Sequence, residues 1–363
     1  MPEPRIVDLT VATHRVPLPR PWGPDVGHVH LVVVSVEDSD GAQGTGFSWT
    51  PRVGALAIHA LIAHDVTEAV VGGPVSPEAV WDHLWRHLHE GGGGGITTMA
   101  MAAVDIALWD RRGKVLGRTL VDLIGRRHDQ VPVYGSGINL HYPLDELEAQ
   151  TERLVASGVG AVKIKVGRPD LDEDLARVAA VRRILGDRRQ LMVDANQRWD
   201  LPTARRAARA LERFGPDWLE EPLLADDLRA HADLRRSTSL PLALGENLYT
   251  AHQFREAVRL GACDIVQPNV VRVGGITPFL RIAEQSRTAG AAVMPHLLVD
   301  LSGQLALCLP GRPLVEHVED ASFAALGVLA RPNGVRITDG ALSAETGPGH
   351  GLAFAFDGSE RLA

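Results

Sequence analysis

The chain has 363 residues, 45% hydrophobic and 23% charged, with a formal net charge of −8. This is ordinary globular composition, and the scattered Lys and Arg argue against a nucleic-acid or anionic-membrane partner. The length exceeds one ordinary domain and suits a large α/β barrel with a smaller companion. The two cysteines, Cys263 and Cys308, lie in apolar runs and read as buried, reduced thiols. The start, Met-Pro-Glu-Pro-Arg, lacks the apolar core of a signal peptide, and no apolar run approaches the length of a membrane span. The expectation is a cytoplasmic protein.

In chain order, residues 6–16, 30–36 and 44–49 read as strands, the last two joined by the polar turn Glu37–Gly41. The Pro- and Gly-rich stretch 17–29, carrying Trp22 and His28, reads as a mobile loop. Helical periodicity follows at 53–71, 77–89 and 96–115, with the glycine run 91–95 as a joint. These elements make an α+β unit over residues 1–128. From Val131 the pattern becomes a short apolar strand and then a helix, repeated. Strands are predicted near 131–136, 161–166, 190–194, 217–220, 242–246, 263–267, 292–295 and 314–317. Eight such units describe a (β/α)8 barrel over 129–325, the last two abbreviated. The segment 326–363 is expected to fold back on the N-terminal unit.

Active sites of such barrels lie at the C-terminal strand ends, and here the ends are polar in succession. The second strand ends with Lys163 and Lys165, which share one face because side chains alternate. The third ends with Asp194 and Asn196, the fourth with Glu220 and Glu221, and the fifth with Glu246. Gln267 and Asn269 follow the sixth strand, His296 the seventh, and Glu316 lies on the eighth. Lys165 to Asp194 is 29 residues, and Asp194 to Glu220 and Glu220 to Glu246 are each 26. Those are βα-unit pitches, so the side chains stack around one mouth.

Three carboxylates from adjacent strands repel unless a hard cation joins them, which points to Mg2+ on Asp194, Glu220 and Glu246. No Cys or His accompanies the trio, which disfavours zinc. The competing reading is a lysine–carboxylate network that only stabilises the barrel mouth. With a cation there, the site could remove the proton α to a carboxylate and spread the enolate charge over the metal and Lys163. Lys165 would be the base, its pKa lowered by Lys163 and the cation. His296, across the mouth, would deliver a proton or protonate a departing hydroxyl. A protonated Glu316 would hydrogen-bond a substrate carboxylate.

The series Ala107-Leu-Trp-Asp110 through Lys114, Lys163-Ile-Lys165, Asp194-Ala-Asn196, Glu220-Glu-Pro222, Gly245-Glu246, Val273–Thr277 and Met294-Pro-His296 resembles the enolase superfamily, mandelate racemase subgroup, over nearly the whole chain. The resemblance implies a capping domain over a modified barrel, Mg2+ on the carboxylate trio, and Lys165 and His296 as bases. It also implies that the 17–29 loop closes over the substrate, with a second capping loop near 49–53, and that the chain assembles as a dimer or octamer. One position departs from the subgroup: Asn269 stands where an aspartate usually pairs with the histidine. Asparagine can orient the ring but brings no charge, which weakens two-base racemisation. Trp22, His28 and His141 are candidate substrate contacts suited to several hydroxyls, and Asn196 a further one. Dehydration of an acid sugar is therefore the leading reading. A racemase or epimerase, or a non-catalytic ligand-binding homologue, remains the alternative.

Overall fold

The computed structural model describes residues 3–23 and 25–363. The N-terminal sheet is built from β1 (Ile6–Pro17), β2 (His28–Asp38) and β3 (Gln43–Thr50), paired antiparallel in that order. Against it pack α1 (Ala55–Leu61), a π-helical turn (Ile62–Val66), α2 (Thr67–Val70), α3 (Pro77–His87), α4 (Ile96–Leu116) and α5 (Leu120–Ile124). The predicted helix 53–71 is thus interrupted. Helix α4 is apolar nearly all round because it is enclosed between this sheet and the barrel, burying sixteen of its residues.

The barrel strands are β4 (Val131–Ser136), β5 (Ala161–Lys165), β6 (Gln190–Asp194), β7 (Trp218–Glu220), β8 (Leu242–Leu244), β9 (Ile265–Val266), β10 (Ala292–Val293) and β11 (Val315–Val318). Neighbours pair in parallel from β4 to β10, and β11 pairs with β4. All eight lie where the sequence placed them. The intervening helices are α6 (Leu144–Ala156), α7 (Leu171–Leu185), α8 (Leu201–Leu211), α9 (Leu228–Arg235), α10 (Ala251–Leu260) and α11 (Ile276–Thr288). A helix of the seventh unit that the sequence pattern does not announce, α12 (Val299–Ala306), follows β10.

The tail departs from expectation. A hairpin, β12 (Val335–Thr338) with β13 (Ala341–Ala344), adds to the barrel, where Leu342 pairs with Val131 of β4. The chain meets the capping unit on both sides of this hairpin: before it Phe323 packs edge-on against Phe47 of β3, and after it His350 bonds the Thr45 carbonyl and β14 (Glu360–Arg361) pairs with β1. No helix among the described residues is long and apolar enough to cross a membrane.

Strand alternation sets the site. Tyr134, Ala161, Met192, Trp218, Ala243, Ile265 and Leu314, with Met294, form one apolar plug inside the barrel, each from a different strand or its flank. Interior residues recur every second position, so the next layer is Ser136, Lys163, Asp194, Glu220, Gln267, His296 and Glu316, all buried. The apolar plug is the floor of the polar cluster.

The domains are joined by the motif around Asp105–Asp110. Asp105, fully buried on α4, accepts a hydrogen bond from the Thr277 backbone N–H at the start of α11, and Trp109 Nε1 donates to Thr277 Oγ1. Gly275 has φ 111°, and a Cβ there would meet the Asp105 carboxylate, so this approach needs glycine. Asp105 therefore caps a barrel helix from the other domain. Burial pushes its carboxyl up to about 7 despite the Thr277 hydrogen bonds. Its unfolded value is 3.8, so the folded state binds the extra proton between them. The stability Asp105 contributes is expected to be full below pH 4 and to fall as pH rises through 7. Asp105→Asn should flatten this part of the unfolding profile. Identical pH slopes in urea titrations of the two proteins would contradict the assignment.

Candidate active site

Lys163 is wholly buried and its Nζ lies 2.6 Å from Glu220 Oε1, 2.8 Å from Glu316 Oε1 and 3.6 Å from Asp194 Oδ2. Beneath it the Tyr134 ring centroid is 5.5 Å away. Lys165 Nζ lies 2.5 Å from Asp194 Oδ2, and its backbone N–H donates to Asn139 Oδ1. Glu220 Oε2 accepts from Trp218 Nε1 and Gln267 Nε2. Two buried ammonium groups thus thread between the carboxylates, which is what makes so much buried charge tolerable.

Asp194, Glu220 and Glu246 each offer an oxygen within 4.8 Å of the others, and all three are buried. The donor set is oxygen only and carries three negative charges, which fits a hard divalent ion such as Mg2+. Burial raises Glu220 to about 7, helped by Asp194 and Glu316 and opposed by Lys163. Glu246 stays well below the usual carboxylate range: burial works against this, but His296 and the two lysines prevail. Behind them Glu221, also buried, is pushed well up by burial and by Glu246, and accepts from Asn247 Nδ2.

Two charges in the metal-free protein differ from those expected with the cation bound. Lys165 is expected to titrate low once Lys163 and a bound cation both act on it. Burial does act that way, but attraction to Asp194 outweighs both burial and Lys163, and its pKa stands above the ordinary value. Glu316 was expected to be protonated. Burial favours that, yet Lys163, His296 and Lys165 hold it at about 2, so it is a carboxylate. It accepts from the Leu297 backbone N–H and anchors Lys163. In the metal-free protein Glu316 is thus the anionic partner of Lys163.

His296 Nε2 lies 2.9 Å from Glu246 Oε2 and 3.7 Å from Glu316 Oε2. On its other side Asn269 Nδ2 donates to Nδ1 at 3.0 Å. Asn269 Oδ1 accepts from the N–H groups of Val271 and Arg272, which fixes the carboxamide with its NH2 toward the ring. When the ring is neutral, Nδ1 accepts and the ring proton sits on Nε2, facing the site.

The loops after these strands are strained. Asn196 (φ 41°), Gln197 (62°), Glu221 (36°), Leu297 (53°) and Leu298 (51°) all take left-handed backbone. Each such turn costs on the order of 1–3 kcal/mol and needs surrounding structure to hold it. For Leu297 that structure is the Glu316 bond and burial of both leucines.

Above the trio opens a cavity of about 1020 Å3 lined by residues of both domains. Trp22 and Val26 of the 17–29 loop and Pro51 and Arg52 of the second loop face it, with His141, Lys165, Asn196 and Glu246. Asn196 also caps Asp194 Oδ1 with its N–H. His28 does not line it. It begins β2, opposite Pro17, and packs its ring edge-on against His30, so it is removed from the candidate contacts. Sequence reading passed over Asn139, Arg52, Arg168, Arg198 and Asn247. Asn139 closes a strand like the others, but its side chain serves a backbone amide, which no spacing announces.

Residues 6–125 match the mandelate racemase/muconate lactonizing enzyme N-terminal domain, and 146–358 match the enolase C-terminal domain-like family. The chain is 40% identical over 334 residues to the 3,6-anhydro-α-L-galactonate cycloisomerase of Streptomyces coelicolor, covering 92% of this chain and 91% of that protein. It is 37% identical over 293 residues to the L-talarate/galactarate dehydratase of Salmonella typhimurium, covering 80% and 73%. The L-talarate dehydratase of Polaromonas sp. JS666, solved with Mg and L-glucarate, superposes with a TM-score of 0.87 at 36% identity, covering 99% of each chain. The chain belongs to the mandelate racemase/muconate lactonizing enzyme family of the enolase superfamily. Within that family it is a magnesium-dependent enzyme.

Removing the cation from this cluster is expected to be costly. Lys163→Met leaves Glu220 and Glu316 buried without their shared counterion, and should lower unfolding stability by about 3–5 kcal/mol in metal-free protein. Urea denaturation tests this, and wild-type stability would show that the carboxylates do not depend on Lys163.

Proposed function

We propose that this enzyme removes the proton α to the carboxylate of an acid sugar and expels the oxygen on the neighbouring carbon. The observation that carries this reading is Lys165, held at the rim of the carboxylate trio and open to the cavity. Mg2+ on Asp194, Glu220 and Glu246 would supply positive charge for the substrate carboxylate and draw Asp194 away from Lys165, lowering the lysine's pKa. Lys165 then accepts the α-proton, and the C–H electron pair passes into the enolate. Lys163, fixed by Glu220 and Glu316, adds a second positive charge against that developing anion. The enolate pair next forms the C=C bond as the β C–O bond breaks, and the departing oxygen, hydrogen-bonded by His296, takes the proton gained by Lys165 or one from solvent. The enol so formed tautomerises to a 2-keto-3-deoxy acid.

His296 enters this sequence as a hydrogen-bond donor. Its Nε2–H faces the site because Asn269 occupies Nδ1, so it supports a leaving oxygen better than it accepts a proton. That favours elimination over two-base racemisation. A second reading has the departing oxygen belong to a ring rather than a hydroxyl, and the 40% identity to a cycloisomerase favours weighing it beside dehydration. Both outcomes break the same β C–O bond and use the same residues. The substrate partner is a small carboxylate, and Trp22 and His141 on the cavity wall are its proposed contacts.

The test is incubation of the Mg2+-loaded enzyme with pooled acid sugars and their anhydro or lactone forms in D2O. A 2-keto-3-deoxy product, detected with semicarbazide, is expected. Lys165→Ala should lose at least ~100-fold in rate while still binding Mg2+. Deuterium entering recovered substrate without elimination would favour an epimerase, and no exchange with any acid would sink the proposal.

A further inference from the structure

The cavity lining mixes two chemistries: Lys165, Asn196 and Glu246 of the site, and three guanidinium groups, those of Arg52, Arg168 and Arg198. Arg168 is spent: it donates to the Leu140 and Tyr142 carbonyls and pairs with Glu173 at 3.1 Å. The guanidinium groups of Arg52 and Arg198 make no hydrogen bond or ion pair among the described residues, and both side chains are exposed at the cavity. Two carboxylates join the three arginines in the lining, Glu173 already on Arg168 and Asp25 on the 17–29 loop. Together these groups carry an excess of positive charge.

Arg198 is placed there by local structure. It follows the left-handed turn Asn196–Gln197, and its side chain crosses the turn that succeeds Lys165. Gly167 in that turn has φ 105°, and a Cβ on it would lie 2.7 Å from Arg198 Cδ. Glycine makes the room in which the arginine stem lies. Arg52 approaches from the other domain, next to Pro51 on the capping loop. A cation from each domain thus lines the same cavity as Lys165 and Glu246.

We propose that Arg52 and Arg198 form a subsite for a second carboxylate, so that the substrate is an aldaric rather than an aldonic acid. Guanidinium groups suit this task, since each offers a planar pair of donors to a carboxylate. An aldonic acid would place a neutral hydroxymethyl group there and leave the excess charge unmet. The proposal rests on the reading above, in which the first carboxylate is held at the trio and Lys165 removes its α-proton.

The experiment uses the Mg2+-loaded enzyme with six-carbon aldarates and six-carbon aldonates, each supplied across its diastereomers. Both α-proton exchange in D2O and keto-acid formation are followed. The best aldarate is expected to exceed the best aldonate in kcat/KM by about tenfold or more, the worth of one charge-assisted hydrogen bond. Arg198→Met and Arg52→Met should each shrink that ratio, mainly by raising KM for the aldarate, and Arg198→Lys should restore part of it. An aldonate turned over as well as any aldarate, or a ratio that neither methionine variant changes, would overturn the subsite while leaving the elimination chemistry standing. Exchange with neither class would remove the chemistry and the subsite together.

Discussion

Buried charge is the constraint on which the rest of this molecule depends. Asp194, Glu220, Glu246 and Glu316 lie inside the barrel mouth with only Lys163 and Lys165 as fixed cations among them. Ions cannot be buried this densely unless each finds a partner or a proton. Every neighbouring feature supplies one. Trp218 and Gln267 donate to Glu220, the Leu297 amide to Glu316, and the Asn196 amide to Asp194. A surplus of negative charge still remains at the trio, and a divalent ion is the species that can meet it.

The scaffold delivers that cluster by simple alternation. Positions two residues beyond the apolar plug become the polar layer on every barrel strand but β8, where Gly245 falls there and Glu246 follows it, so one repeat of period two generates the floor and most of the site. The strained loops then turn the chain away immediately after each functional side chain. Leu297 and Leu298 are the clearest case, since two consecutive left-handed leucines would not persist without burial and the Glu316 carboxylate. Above, the capping unit is tied to the barrel by Asp105 and Trp109 at the start of α11, which places Trp22 and Arg52 over the mouth.

Much of this was legible in the sequence, because strand ends in a barrel are marked by an apolar run stopping at an ionisable residue. All eight strands and the carboxylate trio follow from that signal. What could not be read depends on partners rather than patterns. Glu316 looked like an acid among acids, but its charge is decided by Lys163, a contact set by three-dimensional register. The pairing of Lys165 with Asp194, which in the metal-free protein opposes the effect of Lys163, is likewise set by register. Helix α12 was missed because its Gly303 and lack of polar faces give no amphipathic stripe, all eight residues being buried. The tail hairpin joins β4 through Val131 and Leu342, a pairing between segments two hundred residues apart. His28 was misplaced because a histidine at a loop's end can equally begin a strand.

The most direct test of the central claim is the proton balance of Mg2+ binding, measured calorimetrically near pH 7 in buffers of differing ionisation enthalpy. If the trio is the metal site and its charge is what holds extra protons on Glu220 and Lys165, Mg2+ must expel protons as it binds. The expected result is net proton release that disappears, along with most of the affinity, in Asp194→Asn. Binding without proton release, or undiminished binding by that variant, would contradict the account.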